Sequence, residues 1–487
     1  MNLTKDDYLN YGTALVEQED FDKAIFVFGK AIEAYPGYAP LYATLGLVYR
    51  EKKRLEEAEV CLQKAVEISP DDVIAYNNLG LVLLDLHELQ KAEQCFLKAI
   101  ELDTEYAELH NNLGLVYEER LDLKKAEACY RHAIDLRPNY VDAYYNLGTF
   151  FKASAQMPEA EEFLVKAVKL CPTYYTALYV LGIVYLLKAR YEDGWKLYEA
   201  FRVSEPRIKP GSLPLWQGED LADSSILLFY EYGFGDTIQF VRYAKMVEKS
   251  AAKMTVWVQP PLKKLLEDSY PSIEFYSGEQ LPDKKYDYAC SIMSLPIVYD
   301  TRSETIPADI PYLHASALKV AAWQEKIQVN AQAKKLKVGV VWAGNPRHPG
   351  DDKRSIDFSV FKDIFKVKDV SWFSLQVGNR CADLENLEQG IVADYSVDLT
   401  DYAESAAFIA NLDLVITVDS SVVHLAGGLG KPTWVLLAFV PDWRWELDRE
   451  DSLWYPNVKP FRQKRIGDWE NTIVRVSEEL KAYCKNR

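Results

Sequence analysis

The 487-residue sequence predicts a repetitive α superhelix followed by two α/β domains with parallel sheets that face a cleft. Glycines recur every 34 residues in the first part, this period stops after Pro206, and short β-rich runs then alternate with helix-length stretches. A fixed period of this kind indicates stacked repeats, and strands that alternate with helices form parallel sheets covered on both faces. The predicted domains are the repeats at residues 1–206, a first α/β domain at 207–333 and a second at 334–487.

The repeat carries small residues and a closing proline at fixed positions. The glycines are Gly12, Gly46, Gly80, Gly114, Gly148 and Gly182, each 34 residues after the last. This is the tetratricopeptide pattern, a pair of helices that buries its apolar face only by stacking on neighbouring pairs. We expect six helix pairs with a groove that binds an extended polypeptide. The sixth unit has Gly194 and Phe201 in place of alanines, which fits a last helix that packs against the following domain.

Asparagines occupy one position of successive repeats. Asn78, Asn112 and Asn146 lie within NNLG, NNLG and YNLG. Asparagine is a poor helix former, so these residues can be ordinary polar positions on a helix surface. Their amides can also hydrogen-bond a peptide backbone without reading its sequence. The recurrence in phase favours this second interpretation, an asparagine ladder.

Composition disfavours several classes of function. The net charge of −17 argues against nucleic acid or an anionic membrane as the main partner, because phosphates would be repelled. We find no secretory signal and no run approaching the roughly 20 apolar residues that span a bilayer, and we therefore expect a cytoplasmic protein. The seven cysteines form no even disulfide framework, and no cluster has metal-ligand spacing. No metal or other cofactor is expected.

Five unusual loops each follow a predicted strand, and ligands of parallel sheets bind beyond the carboxyl ends of the strands. The loops are YGFGD after SILLFY, AGNPRHPGDDKRS after KVGVVW, VGNR after SWFSLQ, DSSVVH after DLVITV and AFVPDWRW after TWVLL. We expect all five loops to face one cleft.

The loop YGFGD begins like a dinucleotide-binding fingerprint, but Ile238 stands where the third glycine belongs. A nicotinamide or flavin site is therefore disfavoured. Gly233 and Gly235 allow a tight turn, and Asp236 opens the next helix. Asp236 can be a helix cap, worth about 1 kcal/mol, or a general base that accepts a proton from an incoming nucleophile.

Two loops of the second half can bind an anion. The loop DSSVVH places four polar residues at a helix start, Asp419, Ser420, Ser421 and His424. Free backbone N–H groups and the helix dipole favour a phosphate there, although His424 can also be a packed polar residue. Lys353 and Arg354 lie near another helix start. They can neutralise a leaving diphosphate or form an ordinary solvated surface.

Two further loops carry residues with open roles. Trp443, Arg444 and Trp445 are adjacent, and such side chains suit a sugar ring or an acceptor, or seal an interface with the repeats. Gln376 can contact a nucleoside or only a neighbouring loop.

The segments EYGFGDTIQFVRY, VGVVWAGNPRHPGDDKRSI and DLVITVDSSVVHLAGGLGKPTWVLLAFVPDWRW resemble bacterial glycosyltransferases linked to tetratricopeptide repeats. The catalytic part is similar to lipopolysaccharide heptosyltransferases, and the layout is similar to the O-linked N-acetylglucosamine transferases. This resemblance covers nearly the whole chain. It implies a glycosyltransferase B fold of two Rossmann-like domains, with the acceptor on the first and a nucleotide-sugar donor mainly on the second.

The resemblance also implies roles for residues, with Asp236 as the catalytic base. Together with the loop residues above, the candidate donor set is Gly235, Asn345, Lys353, Arg354, Gln376, Asp419, Ser420, Ser421 and His424. The candidate acceptor set is Asn78, Asn112, Asn146, Trp443 and Arg444. Thr44 and Val180 interrupt the asparagine ladder.

We therefore expect a metal-independent glycosyltransferase that moves a sugar from a nucleotide donor to a protein hydroxyl, with the polypeptide held by the repeats. Flagellin or another surface protein is a candidate acceptor by analogy of architecture alone. Two alternatives stay open: a non-catalytic repeat scaffold with a remnant transferase domain, and a transferase that acts on lipid or saccharide.

Overall fold

The computed structural model describes residues 3–329 and 335–486. The chain divides into two compact units, Met1–Ala177 and Leu178–Arg487. The boundary expected between the two α/β domains, at residues 333 and 334, lies outside the described residues. The first twelve helices are α1 Lys5–Glu17, α2 Phe21–Ala34, α3 Ala39–Glu51, α4 Leu55–Ile68, α5 Val73–Asp85, α6 Leu89–Leu102, α7 Ala107–Glu119, α8 Leu123–Leu136, α9 Val141–Ala153, α10 Met157–Leu170, α11 Tyr175–Leu187 and α12 Tyr191–Ser204.

The repeated glycines lie where the two helices of a pair cross. A Cβ atom built on Gly46 of α3 would lie 2.6 Å from Cγ of Leu62 on α4. A Cβ atom on Gly114 of α7 would lie 2.6 Å from Cε1 of Tyr130 on α8. Both partner side chains are fully buried. Only a residue without Cβ fits at these crossings, so the period in the sequence is the period of the helix crossings.

The sixth helix pair belongs mostly to the second unit. A Cβ atom on Gly182 of α11 would lie 3.1 Å from the carbonyl oxygen of Gly194 on α12, so two glycines meet at this crossing. The helix α12 also contacts the α/β part of its unit. The indole N–H of Trp195 donates to the carbonyl oxygen of Thr301 at 3.0 Å, and the hydroxyl of Tyr191 donates to Glu446 at 2.9 Å.

The first sheet has four parallel strands in the order β3-β2-β1-β4. Its strands are β1 Ser225–Phe229, β2 Lys253–Trp257, β3 Glu274–Tyr276 and β4 Tyr288–Ser291. The helices around it are α13 Phe234–Phe240, α14 Ala244–Glu248, α15 Pro260–Ser269, α16 Leu295–Val298 and α17 Ala317–Gln328. All four strands coincide with apolar runs that the sequence predicts as strands.

The second sheet has six parallel strands in the order β10-β9-β8-β5-β6-β7. Its strands are β5 Leu336–Val341, β6 Val370–Ser374, β7 Val392–Asp394, β8 Leu414–Val418, β9 Thr433–Leu437 and β10 Val458–Arg462. Its helices are α18 Asp351–Arg354, α19 Phe358–Phe361, α20 Tyr402–Ala410, α21 Ser421–Gly428 and α22 Trp469–Lys485. The sequence predicts five of these strands and misses β10.

Both sheets contain a point where the chain order reverses. In the first sheet β1 lies between β2 and β4, and in the second β5 lies between β6 and β8. Ligands of parallel sheets bind at such switch points, beyond the carboxyl ends of the strands. The loops after β1, β5 and β8 are therefore the first places to look for a site.

Candidate functional site

The helix that follows β1 and the helix that follows β8 meet at their N-terminal ends. A Cβ atom built on Gly235 of α13 would lie 2.8 Å from Cδ2 of His424 and 3.5 Å from Cα of Ser421, both on α21. The second glycine of YGFGD therefore allows direct contact between loops of the two sheets. The structure brings Gly235, Ser421 and His424 together, as candidate residues of one site.

Asp236 lies beside this contact, in the first turn of α13. Its Oδ2 accepts a hydrogen bond from the backbone N–H of Gly233 at 2.9 Å, and its Oδ1 accepts one from Nη2 of Arg444. The side chain remains 24% exposed. A carboxylate has about four acceptor sites, so the capping bond and the ion pair leave room for another donor. The helix-cap role exists here and does not exclude the role of a base.

Arg444 enters from the loop after β9 and is 8% exposed. Its Nε donates to Oε1 of Gln239, its Nη2 to Asp236, and its Nη1 to Asp442 at 2.8 Å. Burial lowers the pKa of the guanidinium, but the carboxylates of Asp442 and Asp236 outweigh that effect and raise the pKa above its ordinary value. The sequence placed Arg444 in the acceptor set, whereas its bonds here go to the candidate base and its surroundings.

The tryptophans beside Arg444 are buried, with 2% of Trp443 and 1% of Trp445 exposed. Trp443 packs edge-on against Trp195 of α12 at 5.0 Å between ring centroids and stacks on Phe240 at 6.4 Å. These contacts match the second interpretation from the sequence, in which the aromatic loop seals an interface with the last repeat helix. Neither face of Trp443 is available to an acceptor in this arrangement.

His424 is buried and neutral at neutral pH. Burial lowers its pKa well below the ordinary value, and the nearby charges of Arg444, Arg242 and Arg354 add to this effect. Its Nδ1 lies 3.0 Å from the hydroxyl of Tyr455, and its Nε2 would lie 3.4 Å from a Cβ atom on Gly235. The Nε2 edge of the ring therefore faces the junction between the two sheets.

The two serines of DSSVVH have different tasks. The hydroxyl of Ser420 caps α21 by accepting a hydrogen bond from the backbone N–H of Val422 at 3.3 Å. The hydroxyl of Ser421 accepts a hydrogen bond from that of Tyr402 at 2.7 Å. Since a hydroxyl has one proton and two lone pairs, Ser421 keeps its own proton to donate to a ligand.

Asp419 and Arg354 follow β8 and β5, on either side of the switch point of the second sheet. Burial raises the pKa of Asp419 to about 6, and the Asp442 carboxylate adds to the rise, while Arg354 and Arg444 oppose it. A Cβ atom on Gly344 would lie 2.7 Å from Nη2 of Arg354, so this guanidinium packs against the backbone after β5.

The other donor candidates of these loops differ from Arg354 in exposure or in hydrogen bonding. Lys353 and Asn345 are both exposed. Gln376 is buried, and its Oε1 accepts hydrogen bonds from the backbone N–H groups of Trp342 and Ala343, while its Nε2 donates to the carbonyl oxygen of Ala343 at 3.1 Å. Both amide atoms of Gln376 are used by the main chain. The structure therefore favours the role of a loop contact for Gln376 over that of a nucleoside contact.

Four side-chain amides in the repeats form a hydrogen-bonded chain. Asn112 donates to Asn77 and Asn146 donates to Asn111, each at 2.9 Å, and Asn111 donates to Asn112 at 3.3 Å. Asn112 and Asn146 are candidates from the sequence, as is Asn78, whereas Asn77 and Asn111 are not. The doubled asparagines of NNLG were the signal for these partners. Asn112 and Asn146 are therefore oriented by asparagines of adjacent repeats, whereas Asn78 is buried and lies outside this chain of hydrogen bonds.

Other residues of the candidate site do not stand out from the sequence. Gln239, Asp442, Tyr402 and Tyr455 each contact a candidate residue. In the described parts of the chain, no group of three or more His, Cys, Asp or Glu residues is arranged to hold a metal ion. Within these same parts, none of the helices is both long and apolar enough to cross a membrane.

Comparison with known families identifies the N-terminal repeats. Models described as tetratricopeptide repeats match residues 8–38, 71–139 and 129–162, and one described as TPR repeat matches residues 46–87. The N-terminal part of the chain therefore consists of tetratricopeptide repeats.

A similar curated protein is FlbA of Caulobacter vibrioides, which is 26% identical over 330 residues. The match covers 62% of this chain and 54% of FlbA, so the chain spans about half the length of that relative. Among solved structures, MamA is 29% identical and covers 33% of this chain and 93% of its own, with a TM-score of 0.30. YrrB, described as a TPR protein with an unusual peptide-binding site, is 24% identical over 37% of this chain and 92% of its own, with a TM-score of 0.28.

Proposed function

We propose that this chain, which begins with tetratricopeptide repeats, is a glycosyltransferase that moves a sugar from a nucleotide donor to a polypeptide hydroxyl. One observation carries the proposal. Asp236, after β1 of one sheet, adjoins Gly235, and a Cβ atom on Gly235 would meet Ser421 and His424 at the start of the helix after β8 of the other sheet. The two sheets with their helices would be the Rossmann-like halves of a glycosyltransferase B fold.

In this proposal Asp236 is the general base. The acceptor oxygen forms a bond to the anomeric carbon, the bond from that carbon to the diphosphate oxygen breaks, and the hydroxyl proton passes to the carboxylate. A base must lie within hydrogen-bond reach of that proton. The exposed quarter of the Asp236 side chain and its remaining lone pairs support this role.

The second sheet would stabilise the leaving diphosphate. The backbone N–H of Ser421, ahead of the capped N–H of Val422, and the hydroxyl proton of Ser421 can donate to phosphate oxygens. Arg354, at the adjacent switch-point loop, supplies positive charge close to Asp419. Because His424 is neutral and its Nε2 faces the junction, its ring can contribute a hydrogen bond but no permanent charge.

The repeats would bind the polypeptide acceptor. Asn111 and Asn112 are buried and hold the half-buried amides of Asn77 and Asn146 in fixed orientations, and amides so oriented can bind a peptide backbone of any sequence. Flagellin or another surface protein stays a candidate acceptor by architectural analogy alone.

The test is a panel of nucleotide sugars incubated with the purified protein. We expect one donor to raise the unfolding temperature, as a ligand of the folded state must, and to be hydrolysed slowly without acceptor. Asp236→Asn should keep this shift and lose about 10²- to 10⁴-fold in turnover. Asp451→Asn, at an exposed aspartate paired with Arg449, is the matched control and should retain both. Full turnover by Asp236→Asn with normal donor binding would remove Asp236 as the base.

A non-catalytic scaffold is the second candidate. The observation in its favour is that residues 8–162 match models of tetratricopeptide repeats, and stacked repeats form extended binding surfaces. If no nucleotide or nucleotide sugar shifts the unfolding temperature, the scaffold is favoured over the transferase.

A further inference from the structure

The side chain of Arg444 connects the two sheets at the candidate base. Arg444 follows β9 of the second sheet, while Asp236 and Gln239 lie on α13 of the first. Both of these partners accept hydrogen bonds from the guanidinium. Residues three apart on a helix lie on one face, so Arg444 binds two successive positions on the same side of α13.

All three nitrogen atoms of this guanidinium are used. The Nε and Nη2 groups bind α13, and Nη1 binds Asp442 at 2.8 Å within the loop of Arg444 itself. The guanidinium is planar and rigid, so three partners in different directions fix its orientation. Its carbon also lies 4.6 Å from the ring centre of Trp443 and 5.6 Å from that of Phe240. Arg444 is therefore held in place independently of Asp236.

We propose that Arg444 is a positioning residue that fixes the direction of the Asp236 carboxylate at the junction of the two sheets. The inference rests on the proposed function, in which Asp236 takes the proton of the acceptor hydroxyl. With Oδ1 on Arg444 and Oδ2 on the backbone N–H of Gly233, the carboxylate cannot rotate freely. Its remaining lone pairs then point in defined directions, as a base requires.

This role differs from proton donation by the arginine. The raised pKa of Arg444 keeps the guanidinium protonated throughout the reaction, so the proton leaves the acceptor for Asp236 and no proton passes through Arg444. It also differs from a purely structural role, in which the bonds of Arg444 to Gln239 and Asp442 hold the loop against α13 and their loss lowers activity whether or not Asp236 is present.

A double-mutant cycle on transfer separates these roles. Arg444→Met should lower kcat by about 10²-fold, the cost of a misplaced catalytic group, with little change in the KM of the donor. In the Asp236→Asn background the same substitution should have almost no further effect, because the group that it positions is gone. Arg449→Met, in the same loop and paired with Asp451, is the control and should resemble the wild type.

Two further readings complete the experiment. Arg444→Lys keeps the positive charge but loses the planar guanidinium that donates in several fixed directions. Its kcat should therefore fall between those of the wild type and Arg444→Met. If Arg444→Met does not fold, Arg444→Lys takes its place in the cycle. Losses of kcat that multiply in the double variant overturn the positioning role and leave the proposed function intact. A wild type that turns over no donor overturns the proposed function, and the positioning role with it.

Discussion

Two glycines of one turn have different steric surroundings. A Cβ atom on Gly235 would lie 2.8 Å from Cδ2 of the buried His424, whereas one on Gly233 would lie 3.4 Å from the nearest atom, Oδ2 of Asp236. We expect Gly235→Ala to lower the free energy of unfolding by about 1–3 kcal/mol, the usual cost of inserting a methyl group into a packed site. Gly233→Ala should change it much less.

Urea unfolding of both variants checks this prediction. The α21 turn would have to move away from α13 in Gly235→Ala, so donor binding should weaken in parallel with stability. Equal unfolding free energies for the two alanine variants would mean that the close contact between Gly235 and His424 does not limit the size of the residue at position 235.

Asp419 makes stability depend on pH. Its pKa of about 6 lies above the unfolded value of about 3.9, so folding is favoured by the protonated form. The stability from this group is fully present below pH 4 and is lost as the pH rises through about 6. Asp419→Asn removes the effect, so its stability relative to the wild type should rise between these pH values, by on the order of 3 kcal/mol.

The measurement is urea unfolding of both proteins at several pH values between 4 and 7.5. Wild type and variant should differ least at the acid end and most near pH 7. Parallel stability curves over this range would show that the Asp419 carboxyl titrates with an ordinary pKa.

At the scale of an element, α12 is held to the loop after β1 by a buried ion pair. Nη1 of Arg202 lies 2.8 Å from Oε2 of Glu231, and the two side chains are only 4% and 0% exposed. The second carboxylate oxygen of Glu231 is also buried and has no hydrogen-bond partner among the described residues. Loss of Arg202 would leave a buried charge without compensation, and breaking such a pair costs about 3–5 kcal/mol.

We therefore expect Arg202→Met to lower the free energy of unfolding by that amount, and Glu231→Gln in the same chain to restore part of the loss. Lys196→Met is the control on the same helix, because Lys196 pairs with Glu192 on an exposed surface. Chemical unfolding should find Lys196→Met unchanged. A small effect of Arg202→Met would mean that water reaches Glu231 in the folded protein.

The elements differ in how far the sequence could predict them. The helix crossings were predictable because only glycine fits against Leu62 or Tyr130. The edge strand β10 was not, because Pro460 and its charged neighbours interrupt the apolar run, as an edge strand tolerates. The conformation of the turns between paired helices could not be predicted from the sequence either. Their left-handed residues, with φ of 56–60°, are Glu19, Lys53, His87, Leu121, Ala155 and Ala189. Packing of the repeats imposes this conformation on side chains that do not favour it.

The candidate site could also be predicted only in part from the sequence. The motifs identified Gly235, Asp236 and His424, because glycines, acids and histidine after strands indicate chemistry. They did not identify the pairing of Asp236 with Arg444, which lies 208 residues away in the chain. Such long-range pairs depend on how the two sheets are placed, and a single sequence does not record this placement.

For the whole molecule, the sequence repeat and the first compact unit end at different residues. The repeat pattern extends to Pro206, whereas the second compact unit begins at Leu178. The reason is that α12 keeps the repeat spacing but contributes Trp195 and Arg202 to the core of the α/β part. A boundary drawn at Pro206 from the period alone therefore separates α12 from the residues that it contacts in the second unit.

Two truncated chains test where the second unit begins. Residues 172–487 keep the whole of α11 and α12, and we expect this fragment to unfold cooperatively in urea. Residues 207–487 lack Arg202 and Trp195, so Glu231 would be a buried charge without its partner and a core face would be exposed. This shorter fragment should aggregate on size-exclusion chromatography or unfold at a much lower urea concentration. Equal urea midpoints for the two fragments would place the start of the folding unit after α12, at the end of the sequence period.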